Sequence, residues 1–292
     1  MHRFVSFTLD GITHGMIYAA VAMALVLIWR GTRVVNFAQG AMAMVTTYVA
    51  VSLIDRHISY WVAFIVALVA GLVLGALVEV TLVRPVENKA PLVAVIVTLG
   101  LLVALEASAA LIWGGRFRSF PAPFSIVGLK VGRSQIALSP FDIFTICAVL
   151  VVMAGLLVLF RWTSTGLRMR AAAFEPEVAR LLGVRVGRVL TLGWALAAVA
   201  GSLAGLLVAP KLFLYPNNMD AVLVFGFTAA ILGGLDSPVG ALVGGLVIGL
   251  SLSYVGGYLG SDTESIGAFV ILIAVLMVRP GGIFTRVNPR RV

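Results

Sequence analysis

A few acids, amides and helix-breaking residues, set in long apolar runs, are the side chains of this sequence best placed to do chemistry. Glu106 lies deep in one run, Glu79 stands five residues before Arg84 and can sit near a membrane interface, and Asp142 opens another run. An acid at membrane depth is costly. Glu106 is therefore either a pathway or gating group, or a protonated, hydrogen-bonded packing residue. A proton- or sodium-coupled carrier usually needs more such groups, so their scarcity counts against one. Asn36 and Gln39, within Asn36-Phe-Ala-Gln-Gly40, are also expensive in lipid and should face a bundle interior. They can line a path there, or serve as a helix cap or an interhelical hydrogen bond. Thr228 precedes Gly233, Gly234 and Pro238, which should break a helix. Broken helices with small residues line pathways in many transporters.

Reaction-centre motifs are missing. The lysines are Lys89, Lys130 and Lys211, and none follows a glycine, so the phosphate cradle G-x-x-x-x-G-K-S/T does not occur. Neither H-E-x-x-H nor G-x-S-x-G is present, and no Cys/His pair is available for nucleophilic work. The single Cys147 excludes an intrachain disulfide. The three histidines are isolated, which leaves no His/Cys metal cluster. These absences argue for a passage rather than an enzyme.

The elements that position these residues are apolar helices. Of 292 residues, 61% are hydrophobic and 11% charged, and the mean hydropathy is +1.10. A soluble domain is about 45–50% apolar and about 25% charged. Runs of bilayer-spanning length recur near 12–29, 36–54, 60–83, 90–113, 139–160, 188–209, 237–258 and 264–278. A shorter run at 221–234 is a ninth short span or half of a broken hairpin. The first run follows only one basic residue, Arg3, and no small-residue cleavage site, so it reads as a retained span. The loops are too short to hold a core of their own, so 1–292 is one transmembrane domain. Glycines four apart recur at Gly11/Gly15, Gly71/Gly75, Gly201/Gly205, Gly240/Gly244 and Gly245/Gly249, as tight helix packing requires.

Net charge is +9. In a membrane protein this reflects topology rather than nucleic acid binding. Placing 161–188 in the cytoplasm puts six arginines of that loop inside. Arg30, Arg33, Arg84, Lys89, Arg279, Arg286, Arg290 and Arg291 join them, for 14 inside. Arg3, Arg56, Arg116, Arg118, Lys130, Arg133 and Lys211 make 7 outside. The bias predicts an outside N-terminus and a cytoplasmic C-terminus.

Within 163–188, Glu175 and Glu177 flank Pro176, which suits a first helical turn. Val178, Leu181 and Leu182 follow at i, i+3 and i+4 as one apolar face, and Gly183 can end the helix. A helix of about two turns is not stable alone in water and needs a groove. It can rest on the bundle or membrane, or insert into a cytoplasmic partner.

Five segments resemble, in order, the permeases of branched-chain amino acid ABC importers. The first is Gly15-Met-Ile-Tyr-Ala with Val34-Val-Asn-Phe-Ala-Gln-Gly-Ala, and the second is Arg84-Pro-Val. The third is Gly166-Leu-Arg-Met-Arg-Ala-Ala-Ala with Glu175-Pro-Glu and Ala179-Arg-Leu-Leu-Gly-Val. The fourth is Phe227-Thr-Ala-Ala-Ile-Leu-Gly-Gly-Leu with Gly240-Ala and Gly244-Gly, and the fifth is Val278-Arg-Pro-Gly-Gly-Ile-Phe. Two departures bear on the solute: Phe225-Gly226 stands where the family commonly has a lysine and alanine, and Asp236 where a glycine is usual.

The resemblance implies an all-α, polytopic transmembrane helical bundle of the larger, type II-like importer class, with 8–9 spans and a possible broken helix. It implies that 163–188 supplies the coupling helix, carried by Glu175, Pro176, Glu177, Val178, Arg180, Leu181, Leu182 and Gly183. It further implies a homologous second permease subunit, two cytoplasmic ATPase subunits that hold the ATP and Mg, and a periplasmic solute-binding protein. No cofactor or metal is then expected on this chain, which would lie in membrane lipid of a bacterial inner membrane. The candidate path is Asn36, Gln39, Glu106, Thr228, Gly233 and Gly234. Similar permeases carry urea, short amides and other small organic solutes. A stand-alone carrier would not depend on an ATPase docking at 163–188.

Overall fold

The computed structural model describes residues 2–87, 89–131, 134–135, 138–278 and 282–283. Among the described residues eleven α-helices run in chain order: α1 (His2–Thr32), α2 (Gln39–Ile54), α3 (Tyr60–Val78), α4 (Pro91–Trp113), α5 (Pro140–Trp162), α6 (Ser164–Phe174), α7 (Pro176–Leu181), α8 (Val186–Leu212), α9 (Asp220–Gly233), α10 (Pro238–Leu259) and α11 (Glu264–Val278). Lys130–Val131 pairs with Ser134–Gln135 in a minimal antiparallel ladder. The expected all-α membrane bundle is borne out. Six of these helices are long and apolar enough to cross a membrane, and α2, α9 and α11 are shorter apolar helices.

Two helices form the centre. In α1 and α8 the most apolar 18-residue stretch is 89% and 83% buried, against 11% in α4 and 22% in α5. The exposed side of α4, with Leu92, Val103, Leu111 and Ile112, is apolar and suits hydrocarbon or a second subunit. Glycines bring the central helices together. A Cβ at Gly11 would lie 2.8 Å from Leu250 Cα, and one at Gly245 would lie 2.6 Å from Ala19. The backbones of α1 and α10 therefore pack closely and antiparallel. Gly71 and Gly75 do the same for α3 against Ala198 and Trp194 of α8. Small residues serve this purpose where lipid offers no hydrophobic drive to association.

Register sorts the connections into two ends. Trp113, Arg118 and Asp55 meet at one end: Trp113 Nε1 donates to Ser52 Oγ at 2.7 Å, and Arg118 lies 3.8 Å from Asp55. Arg118 also forms a backbone bridge with Leu214, which brings the α8–α9 link to this end. Arg33 meets Asp236 at 2.6 Å at the other end, where Arg84 reaches Gly187. This is the alternation the basic residues predicted.

Boundaries moved in places. α1 begins ten residues before the expected span, because Phe4 stacks on Tyr254 and Phe7 meets Tyr258 edge to face, both on α10, at 5.5 and 5.2 Å. α2 begins at Gln39, so Asn36 lies in the preceding turn rather than in the span. α9, at 14 residues, is about 21 Å long and short of the roughly 30 Å hydrocarbon core.

Candidate coupling element and solute path

The segment 163–188 is more helical than its sequence suggested. Thr163 caps α6 by accepting from Gly166 N at 3.0 Å, and α6 runs to Phe174. The backbone turns at Glu175, and Pro176 occupies the first position of α7, where its missing N–H costs nothing. α7 has six residues and ends in the expected left-handed glycine, with Gly183 φ at +81°. Gly183 N donates to Arg180 O at 3.0 Å and Val184 N to Ala179 O at 2.9 Å, the bond pair of a Schellman stop.

Ala179 is the foot of α7. It is 2% exposed and packs with Ala172, Val186 and Leu190. The opposite side is a free apolar ridge: Leu181 is 88% exposed and Leu182 78%, with Val178 and Phe174 also exposed. Among the described residues, no groove receives these side chains.

Just beyond this element, Arg84 ties α3 to α8. Its guanidinium grips Glu79 through two bonds, at 3.1 and 2.7 Å, and donates to Gly187 O at 3.1 Å and Thr191 Oγ1 at 2.7 Å. Thr191 Oγ1 donates in turn to Glu79 at 2.7 Å. Glu79 is 1% exposed, so the paired geometry is what allows its burial. A π-helical turn at Glu79–Val83 aims it. Its spacing from Arg84 suits a place near an interface, and the pairing with Arg84 and Thr191 gives it a role there.

The expected path residues fall into different places. Asn36 and Gln39 are fully buried. Asn36 Nδ2 donates to Gln39 Oε1 at 3.1 Å, Ala38 N donates to Asn36 Oδ1 at 3.0 Å, and Gln39 Nε2 donates to Ala197 O at 3.1 Å. Both amides are thus engaged in tying the start of α2 to α8. Thr228 is buried, and its hydroxyl donates to Val224 O at 2.8 Å within α9. Gly233 packs on Gly240 and Gly244 of α10, while Gly234 leaves the helix with φ +94°. Ser237 and Pro238 then start α10, with Gly240 N donating to Ser237 Oγ at 2.9 Å. The helix break expected at 233–238 is therefore a tight α9–α10 hairpin. Glu106 is partly exposed on α4, with its carboxyl within hydrogen-bond reach of Asp220 at the start of α9.

One feature escaped the sequence reading. A cavity of about 450 Å³ opens between α1, α9, α10 and α11, at the end of the bundle where the α8–α9 link lies. Asp10, His14, Tyr18, Asn218 and Glu264 are among its lining residues. Asp10 and His14 at i, i+4 share a helix face, but the expected span began after Asp10 and hid that pairing. Nearby, Asp142 is held by Lys211 at 2.5 Å and by Ser139 Oγ at 2.8 Å.

Comparison with known proteins agrees with this architecture. The chain is 31% identical to the high-affinity branched-chain amino acid transport system permease protein LivH of Salmonella typhimurium, over 99% of this chain and 98% of that one. It is 26% identical to the corresponding protein BraD of Pseudomonas aeruginosa, over 100% and 99%. Among solved structures, PsaBC from Streptococcus pneumoniae in complex with Fab superposes with a TM-score of 0.50 at 13% identity, over 96% of this chain and 93% of that one. That likeness speaks to the fold alone. The family model described as branched-chain amino acid transport system, permease component, matches residues 7–278, and the chain belongs to that family.

Proposed function

We propose that this chain is the membrane-spanning subunit of an ATP-driven importer of branched-chain or other hydrophobic amino acids. In that reading it pairs with a homologous permease subunit, two cytoplasmic ATPase subunits drive the pair, and a periplasmic binding protein delivers the solute. ATP and Mg belong to the ATPase subunits. The N-terminus lies outside and the C-terminus in the cytoplasm of a bacterial inner membrane, as the 14-to-7 distribution of basic residues favours.

The observation that carries the reading is the apolar ridge on α7. Leu181 and Leu182 are exposed at the end of the bundle richest in arginine, in a chain that lacks a phosphate cradle of its own. Helix-in-groove docking uses such anchors, and here it would couple ATP hydrolysis on a partner to α8 through α7 and the Arg84 clamp. Glu106, Thr228, Gly233 and Gly234 would lie along or beside the path. Asn36 and Gln39 would act by holding α2 against α8.

The test is reconstitution of the whole importer in proteoliposomes. Leucine uptake should require ATP and the binding protein. Uptake of urea or acetamide instead of leucine would reassign the solute class, and leucine uptake without any ATPase subunit would refute the importer reading.

A further inference from the structure

A groove of about 420 Å³ opens between α6, the α7–α8 link and the first turns of α8. Arg168 of α6, Arg185 of the link and Arg188 of α8 line it, with Thr165, Val189 and Leu192. None of the three arginines forms an ion pair or a side-chain hydrogen bond among the described residues. The acids of the same segment, Glu175 and Glu177, are exposed at the start of α7 and are not part of the lining. Like charges gathered in one groove repel, so an arriving anion relieves that repulsion as well as pairing with them. The volume is in the ordinary range for small-molecule sites.

The groove changes character along α8. Arg185, Arg188, Val189 and Leu192 follow at i, i+3, i+4 and i+7, which sets them on one helix face. Leu192 lies one turn beyond Arg188, about 6 Å further into the span. Trp162 ends α5 three residues before Thr165 and is 75% exposed. An exposed indole at the end of a span suits the membrane–water interface. The arginines thus stand at headgroup level, and Val189 and Leu192 lead towards hydrocarbon. A guanidinium pairs two N–H donors with phosphate oxygens, and basic pockets between spans on the cytoplasmic side suit anionic headgroups. A free anion would use the arginines alone, whereas a lipid uses both ends of the groove.

We propose that this groove binds one anionic phospholipid of the cytoplasmic leaflet. Arg168, Arg185 and Arg188 hold its phosphate, and Val189 and Leu192 flank the start of an acyl chain. Leu182 of the α7 ridge forms part of the same wall, so the lipid stands beside the surface proposed for the ATPase. The site does not depend on which solute is carried, and it rests on the import reading only for its leaflet.

The experiment uses the purified importer complex, delipidated in a neutral detergent, and follows thermal unfolding. The probes are dioleoylphosphatidylglycerol, dioleoylphosphatidylcholine, which has the same chains and no net charge, and inorganic phosphate. Phosphatidylglycerol should stabilise the complex saturably, and the other two should not at equal concentration. Arg168→Gln and Arg188→Gln should each require about tenfold more phosphatidylglycerol, the loss of one charge-assisted hydrogen bond. Arg161→Gln, exposed beside Trp162 but outside the lining, should respond like the wild type. If a lining glutamine variant fails to assemble, Leu192→Trp closes the apolar end without removing a charge and should abolish the response. Equal stabilisation by inorganic phosphate would make this a free-anion site, and equal stabilisation by phosphatidylcholine would deny the arginines their role; either overturns the proposal. So does an equal loss in Arg161→Gln, which would indicate general surface charge, or an unchanged response in the assembled lining variants. No response in the assembled wild-type complex would leave the groove to the ATPase and overturn it as well. Leucine uptake by the complete importer is scored separately: normal uptake with no lipid response removes this site alone, whereas absent uptake removes the import reading and leaves the lipid response to decide the site.

Discussion

Replacing Leu181 and Leu182 together with aspartate separates docking from folding. The two side chains are 88% and 78% exposed, so they contribute little packing to their own chain. Exposed substitutions of this kind change stability by about 0.5 kcal/mol or less. If both leucines are buried in an ATPase groove, each contributes roughly 1.5–3 kcal/mol there. The pair then accounts for about 3–6 kcal/mol, a loss of about 10²–10⁴ in affinity. Burying two carboxylates without partners adds to the loss. The assay is co-purification of the ATPase subunits with tagged permease, alongside thermal unfolding of the permease in detergent. The variant should lose its ATPase and keep its melting temperature. Ala179→Asp is the contrast: at 2% exposure it faces Ala172, Val186 and Leu190, so it should lower the melting temperature itself. Normal ATPase recovery with the double variant would refute the docking argument. A melting temperature as low as that of Ala179→Asp would show that the ridge packs on its own bundle.

Gly245→Leu should destabilise the α1–α10 contact by about 1–3 kcal/mol, because its first side-chain carbon already lies 2.6 Å from Ala19. Gly100→Leu, with open space at that position, should melt like the wild type, and equal melting of the two variants would refute the close-packing account. Arg84→Ala should cost about 3–5 kcal/mol by leaving the buried Glu79 unpaired. Adding Glu79→Gln should recover part of the loss in the same unfolding assay, and no recovery would deny the ion pair its role. Gly234→Leu forces a side chain onto a backbone at φ +94°, where Gly282 packs closely. The complex should assemble with its ATPase while solute uptake falls steeply, and wild-type uptake would remove 227–238 from the path. In a Cys147→Ala background, Ser164→Cys should react with impermeant reagents only from the cytoplasm and Ser125→Cys only from the periplasm. The reverse labelling would invert the topology.

Composition and local pattern made much of the molecule legible. Apolar runs of bilayer length specify helices because a backbone in lipid must satisfy its own hydrogen bonds. The spans, the small-residue faces and the break after Gly233 could therefore be located from sequence. So could the stop at Gly183, since a left-handed residue after a short apolar pattern is a local requirement. Local pattern did not reveal α6, whose mean composition is barely apolar and which is held by the Thr163 cap and by Ala172 against Ala179 and Val186.

What lay beyond the sequence depends on which distant groups meet. Asn36 and Gln39 read equally well as path-lining or as structural amides. Their destination was decided by the Ala197 carbonyl, 158 positions away from Gln39. Glu79 found its role through Thr191 on α8, and the cavity lined by Asp10, Asn218 and Glu264 exists because α1, α9, α10 and α11 converge there. Residue type determines what a side chain must bond. Only the packed helices determine which partner, or which empty space, it faces, because that is fixed by backbone approaches between segments far apart in the chain.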